Sequence, residues 1–228
     1  MSAPWNNRAR GVHMTVVGII GSGNIGAQVA RRAVSVGYDV AIANSRGPQT
    51  LEGLIEELGP RARAVDVEEA ARAADVVVVA IPIDKYPQLP ADAFAGKVVL
   101  DAGNYYPDWN GRFPALDDES TTTAELLQEH LSASHVVKAF SNIAAADITT
   151  DGQPAGSPSR RALIIAGDDE AAKEQATRLI NAFGFDVVDA GKLAEGWRYQ
   201  RDTPAYGARL DVDGARRALS EARRYRDM

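Results

Sequence analysis

The sequence predicts an α/β protein of the Rossmann class, a doubly wound parallel sheet with a small C-terminal α/β portion. Three observations carry that expectation. A glycine-rich turn, Gly21-Ser22-Gly23-Asn24-Ile25-Gly26, stands between a β-branched run and a helix-like segment. Valine-rich runs recur further on with helix-like segments between them. Those runs are apolar at every position rather than at alternate ones, as strands covered on both faces of a parallel sheet must be.

Val16, Val17, Ile19 and Ile20 make the first strand, and AQVARRAVSVG, residues 27–37, makes the helix that follows the turn. A strand, a glycine turn and a helix are what a pyrophosphate needs. Gly21 takes the tight turn, Gly23 lets the backbone approach the phosphates, and Gly26 lets helix and strand pack closely. Backbone N–H groups and the positive end of the helix dipole then face the anion. Glycines also cluster in ordinary turns, so the flanking strand and helix give the motif its meaning.

The second strand, residues 38–44, completes one βαβ unit through Gly37. Its end is where a Rossmann domain holds the adenosine ribose, and a site preferring NAD places Asp or Glu there. This chain has Asn44-Ser45-Arg46. A carboxylate about 4 Å from a 2′-phosphate would cost on the order of 4 kcal/mol at an effective dielectric of about 20. Arg and Ser donors would each contribute roughly 1.5–3 kcal/mol instead. Both effects favour NADP. The bland alternative makes Arg46 a solvated loop residue and Ser45 the N-cap of a helix beginning near Gln49.

A helix over 49–58 and a short strand over 63–65 lead into EEAARAA, residues 68–74. Residues 74–82, ADVVVVAIP, form a central strand; 96–104 and 135–143 repeat the form, separated by a helix whose Thr122 and Glu125 are spaced as a capping box. Residues 151–159, DGQPAGSPS, are the one loop-rich interruption. RALIIAG, a helix and FDVVDAG then make a further β-α-β element on the end of the sheet. The last segment places Ala215, Ala218, Leu219 and Ala222 at helical spacing beneath an arginine-rich face. The expected organisation is a leader over 1–13, an NADP-binding domain over 14–143, and a smaller portion over 144–228 that closes the site.

In an open α/β sheet the ligand lies beyond the carboxyl ends of the strands. The residues there are Ala80-Ile81-Pro82, Asp101-Ala102-Gly103-Asn104 and Ala139-Phe140-Ser141-Asn142. Small residues and a proline after a central strand suit a flat nicotinamide; simple strand termination is the other reading. Tyr105, Tyr106, Trp109 and Phe113 follow one strand, and Trp197, Tyr199 and Tyr206 follow another. They either sandwich a planar substrate, with Tyr105 and Tyr106 as contacts, or form core or a dimer contact. His13 falls in the leader, His130 near a helix end where it caps the last carbonyls, and His135 at the strand end away from the crevice. The acidic run Asp117-Asp118-Glu119 reads as a solvated loop or helix start. With no acid–base pair and no metal cluster in view, hydride transfer driven by positioning is the most economical chemistry, and no residue is assigned as catalytic.

The 228 residues carry a net charge of −6 and no cysteine. Acidity argues against nucleic acid as a partner, and the missing cysteines exclude thiolate nucleophiles, disulfides and iron–sulfur clusters and point to a cytoplasmic location. No apolar run of 18 or more residues offers a membrane span.

The motifs VVGIIGSGNIG, NSRGP, VVVVAIP, LDAGNYY, VVKAFSNI and FDVVDAGKLAEG, spread from Met14 to about Gly196, make the chain resemble the coenzyme F420-dependent NADP oxidoreductases. The resemblance implies reversible hydride transfer between NADPH and the deazaflavin F420, with the two rings stacked face to face. By position it implies Ser22, Gly23, Asn24 and Ile25 at the pyrophosphate, Ser45 and Arg46 at the 2′-phosphate, and Ile81 and Pro82 beside the nicotinamide. Gly21, Asn44, Ala80, Gly103 and Asn104 complete the expected cofactor contacts. It also implies a homodimer. After Gly196 the sequence departs from archaeal members and is similar to a bacterial subgroup, which leaves the hydride acceptor open among F420, a flavin, and a small carbonyl or imine compound. A non-catalytic NADP sensor stands as the alternative from another class.

Overall fold

The computed structural model describes residues 16–224, so the expected leader, residues 1–13 with His13, lies outside the described residues. The chain has an α/β Rossmann fold. In its first half, β1 (Val16–Ile20), α1 (Asn24–Ser35), β2 (Asp39–Ala43), α2 (Glu52–Leu58), β3 (Ala62–Ala64) and α3 (Val67–Ala73) alternate as the sequence rhythm requires. The helix α1 begins at Asn24 rather than Ala27, because Gly23 is its N-cap and the second half of the glycine turn is already helical.

The second half comprises β4 (Val76–Val79), β5 (Val98–Asp101), the single turns α4 (Pro107–Asn110) and α5 (Pro114–Asp117), α6 (Thr123–His130) and β6 (His135–Lys138). Thr122 and Glu125 form the expected capping box, each side chain bonding to the other residue's backbone N–H. A single turn, α7 (Asp147–Thr150), then precedes β7 (Ala162–Gly167), α8 (Glu170–Ala182), β8 (Asp186–Asp189) and α9 (Val212–Glu221).

The eight strands of the described residues lie in one sheet of order β3-β2-β1-β4-β5-β6-β7-β8. Strand order reverses between β1 and β4, and that reversal opens the crevice in which an α/β sheet binds ligands. The four valines of β4 sit at the centre, each burying a side chain worth about 1.5–3 kcal/mol. The two faces of the sheet take alternate residues: on β1, Val17 and Ile19 pack with Val29, Ala30 and Ala33 of α1, whereas Val16 and Ile20 pack with Ala70 and Ala71 of α3. A Cβ on Gly18 would come within 2.6 Å of the Ala70 carbonyl oxygen, so α3 lies flat on β1 only because that residue has no side chain.

The sheet departs from the all-parallel expectation at one join. β6 and β7 pair antiparallel, with Val137 opposite Gly167 and Lys138 opposite Ala166, before β8 resumes parallel to β7. The connection over 139–161 carries one helical turn, α7, in place of a full crossover helix, and β7 enters from the end where β6 leaves. Against β7 and β8, α9 buries Ala215, Ala218 and Leu219 of the apolar stripe read from the sequence, and the fourth member, Ala222, is buried at its C-cap.

Two sequence expectations are corrected here. His130 Nε2 meets the carbonyl of Leu89 at 2.9 Å, tying α6 to a neighbouring loop instead of capping its own helix. In the acidic run, Asp117 and Asp118 are exposed as expected, whereas Glu119 is buried and has a positive φ of 56°. His135 is half-exposed at the far end of β6, where it pairs with Asp169 at 3.2 Å.

Candidate functional site

A cleft of about 630 Å³ opens at the carboxyl ends of β1, β2 and β4. That volume falls within the few hundred to about 1,000 Å³ usual for small-molecule and cofactor sites. Gly21, Ser22, Gly23, Asn44, Ser45, Arg46, Ala80, Ile81 and Pro82 line it together. Sequence positions from 21 to 82 thus converge on one surface.

The glycine turn is shaped by close contact. Gly21 has φ +107°, and a Cβ there would strike the Ala80 carbonyl and approach Ile81 Cγ2 to 2.9 Å. A Cβ on Gly26 would collide with the carbonyl of Gly21. Gly23 is different: nothing lies within 4 Å of where its Cβ would be, and it lines the cleft. The turn therefore keeps open space at the N-terminus of the 12-residue α1, where unpaired backbone N–H groups and the helix dipole favour an anion.

Asn44 links this turn to the loop after β2. Its Nδ2 donates to Ser22 Oγ at 3.1 Å and to Thr50 Oγ1 at 2.9 Å, while its Oδ1 accepts from the backbone N–H of Arg46 at 2.9 Å. Ser45 and Arg46 are exposed, and no carboxylate pairs with Arg46 among the described residues. The 3₁₀ turn Pro48–Leu51 has Gly47 at its N-cap and no side-chain cap, so Ser45 does not serve as one. An open cradle at Gly23 beside a free guanidinium and a serine hydroxyl fits a dinucleotide carrying a 2′-phosphate.

The remaining expected contacts are not among the residues that line this cleft. Asn24 and Ile25 occupy the first turn of α1, and Gly103 and Asn104 follow β5. Lining residues that the sequence reading passed over are Val67, Lys85, Gln88 and Leu89. Lys85 pairs with Asp84 at 3.0 Å and lies three residues beyond Pro82, a lysine whose place after a central strand was a usable signal.

A second missed feature lies under the crevice at the ends of β5 and β6. Lys138 Nζ donates to Asp101 Oδ2 at 3.0 Å, to Thr123 Oγ1 at 2.8 Å and to the Gly103 carbonyl. Asp101 Oδ1 accepts from Tyr86 OH at 2.6 Å and from the Gly103 N–H at 2.8 Å. Burial, followed by the neighbouring Asp101 carboxylate, holds the Tyr86 phenol well above its ordinary range. This network fixes Gly103, the residue directly before Asn104. The signal was present in the sequence: two adjacent apolar strands end in residues of opposite charge, LD and VK.

The aromatic loops meet through Tyr106 and Tyr206, whose hydroxyls are hydrogen-bonded to each other. Tyr105 OH donates to Asp117 Oδ1 at 2.8 Å and accepts from the Phe113 N–H at 3.1 Å. Tyr199 is wholly buried, with its hydroxyl on the Lys138 carbonyl, and is therefore core. Trp197 lies between the guanidiniums of Arg198 and Arg224, 4.5 and 4.8 Å from its ring centre. Among the described residues no cluster of side chains could hold a metal ion, and no helix is long and apolar enough to cross a membrane.

Residues 16–105 match the model of the family described as NADP oxidoreductase, coenzyme F420-dependent. The chain belongs to that family. The crystal structure of a hypothetical protein from Sinorhizobium meliloti is similar to this chain at 31% identity, with 88% of this chain and 96% of that one covered and a TM-score of 0.75. A protein from Arthrobacter provisionally described as an F420-dependent NADP reductase superposes at TM-score 0.66 and 24% identity over 78% and 85% of the two chains, a likeness of fold. Rat metalloreductase STEAP3 is 33% identical over 180 residues, 78% of this chain but 34% of the rat protein. The chain thus spans about a third of the length of the metalloreductase relatives it matches.

Proposed function

We propose that this oxidoreductase binds NADP(H) in the cleft and transfers a hydride between NADPH and coenzyme F420, a proton from water completing reduction of the deazaflavin. The observation that carries the NADP assignment is the cleft itself, in which the open turn at Gly23 and the free Ser45-Arg46 loop share one wall. Ser22, Gly23, Asn24 and Ile25 hold the pyrophosphate, Ser45 and Arg46 the 2′-phosphate, and Ala80, Ile81 and Pro82 one side of the nicotinamide, which supplies the hydride when bound. Asn44 positions both phosphate sites through its bonds to Ser22 and Arg46.

The family description supports F420 as acceptor. The portion over 144–228 closes the site, bringing Tyr206 onto Tyr106. A homodimer, a cytoplasmic location and the absence of nucleic acid as partner complete the reading, supported by the family resemblance, the missing cysteines and the acidic charge. Mixing the protein with NADPH and F420 should bleach the deazaflavin absorbance; no bleaching across the neutral range would sink this acceptor. A second reading, reduction of a flavin or of a small carbonyl or imine compound, draws support from the metalloreductase relative, in which a similar segment serves a differently named activity. Turnover of such an acceptor without F420 would establish it.

A further inference from the structure

Two buried polar atoms at the ends of β5 and β6 have no hydrogen-bond partner among the described residues. Asn104 Nδ2 donates to the carbonyl oxygen of Ser141 at 3.0 Å, which fixes the amide and leaves Asn104 Oδ1 without a hydrogen bond among the described residues. Ser141 is 2% exposed, and its Oγ is likewise unpartnered. Buried polar groups are almost always satisfied, so two orphans on one bonded pair of residues call for a group from outside the chain.

Their chemistry is complementary: the amide oxygen accepts and the hydroxyl donates. A primary amide satisfies both at once, its N–H to Asn104 Oδ1 and its carbonyl to Ser141 Oγ. The neighbouring Asn142 is not equivalent, because its Oδ1 already accepts from the Ile164 N–H at 3.5 Å. The pair is also rigid. Gly103, directly before Asn104, is held by Asp101 through its N–H and by Lys138 through its carbonyl.

Strand order supplies the position. Along the crevice the carboxyl ends run β2, β1, β4, β5, β6, which places Arg46, the glycine turn, Ile81-Pro82, Asn104 and Ser141 in that sequence. Each step is about 4.8 Å, the spacing of neighbouring strands. A dinucleotide laid from Arg46 across the glycine turn brings its far end to Pro82 after β4, and the orphaned pair follows the next two strands of the sheet, β5 and β6.

Resting on the NADP reading above, we infer that Asn104 Oδ1 and Ser141 Oγ hold the carboxamide of the nicotinamide and so set which ring face is presented to the acceptor. Three ligands test this by binding titration alone: NADPH, its 3-acetylpyridine analogue with methyl in place of the amide NH₂, and 2′,5′-ADP, which lacks the ring. The native protein should bind NADPH about tenfold more tightly than the analogue, one hydrogen bond's worth. Asn104→Ala should erase that preference. Ser141→Ala should weaken NADPH and the analogue alike, since both keep the carbonyl. Both variants should leave 2′,5′-ADP unchanged, and Ser141→Ala, which breaks no internal bond, should keep the ligand-free melting temperature.

Loss of 2′,5′-ADP binding in parallel with NADPH would overturn the inference in favour of a structural role. Undiminished preference for NADPH in Asn104→Ala would overturn it as well. A raised KM for the acceptor with unchanged NADPH affinity would assign the pair to the acceptor instead and overturn the carboxamide assignment. A native protein that binds none of the three ligands would remove the NADP reading itself.

Discussion

Lys138 Nζ lies 3.0 Å from Asp101 Oδ2, and both side chains are sealed from solvent. The two residues are direct cross-strand partners at the ends of β6 and β5. Removing one partner from a buried pair costs far more than removing both, because it leaves a charge without compensation. Lys138→Met should therefore destabilise the fold by about 3–5 kcal/mol. Adding Asp101→Asn, which keeps an oxygen for Tyr86 OH and the Gly103 N–H, should recover much of that loss. Urea denaturation of the two variants measures it, and a double variant no more stable than Lys138→Met would refute the account.

The glycine turn separates folding from binding. Gly23→Ala meets no atom within 4 Å and has an ordinary φ of −74°, so it should change stability by less than about 0.5 kcal/mol. Its methyl would stand in the space assigned to the pyrophosphate and should weaken NADPH roughly tenfold or more. Gly26→Ala would drive a methyl into the Gly21 carbonyl and should lower the melting temperature even without ligand. Equal thermal effects from both substitutions would contradict this division.

Local sequence made much of this legible. The valine runs of β4, β5 and β6 announced themselves because strands buried on both faces need no polar alternation, and the glycine turn and Thr122-Glu125 cap are likewise contiguous motifs. What the sequence withheld depends on pairing. The antiparallel join of β6 and β7 turns on where a loop travels, and strand propensity carries no direction. Lys138 and Asp101, 37 residues apart, become partners only once β5 and β6 are neighbours. Tyr199 looked like the other loop aromatics, and only the fold places it in the core while Trp109 remains 82% exposed.

Tyr86 should make the protein sensitive to alkali. Burial and Asp101 raise its phenol above the ordinary value of 10.0, so the native state holds the proton where the unfolded chain releases it. The stabilisation is complete below about pH 10 and is lost as pH rises through the window between the unfolded and native values. Tyr86→Phe removes a bond to a charged acceptor and should cost roughly 1.5–3 kcal/mol at pH 8. The same variant should show a shallower fall in stability above about pH 10. Denaturant titrations at both pH values supply the comparison, and parallel losses in the two proteins would exclude Tyr86 as the group responsible.

Arg46 gives the sharpest test of cofactor choice. Its guanidinium is exposed, and its backbone N–H is fixed by Asn44 Oδ1, so substitution should leave the loop in place. Arg46→Ala should weaken NADPH by about 1.5–3 kcal/mol, ten- to a hundredfold, through loss of a charge-assisted bond to the 2′-phosphate. NADH has no phosphate there, so its affinity should hardly change. Asn44→Ala should act on a wider front, because Asn44 positions Ser22 as well as Arg46, and NADPH and NADH should both lose affinity. Titration of both cofactors against both variants separates a residue that touches the phosphate from one that places it. Equal losses for NADPH and NADH in Arg46→Ala would show that Arg46 does not read the 2′-phosphate.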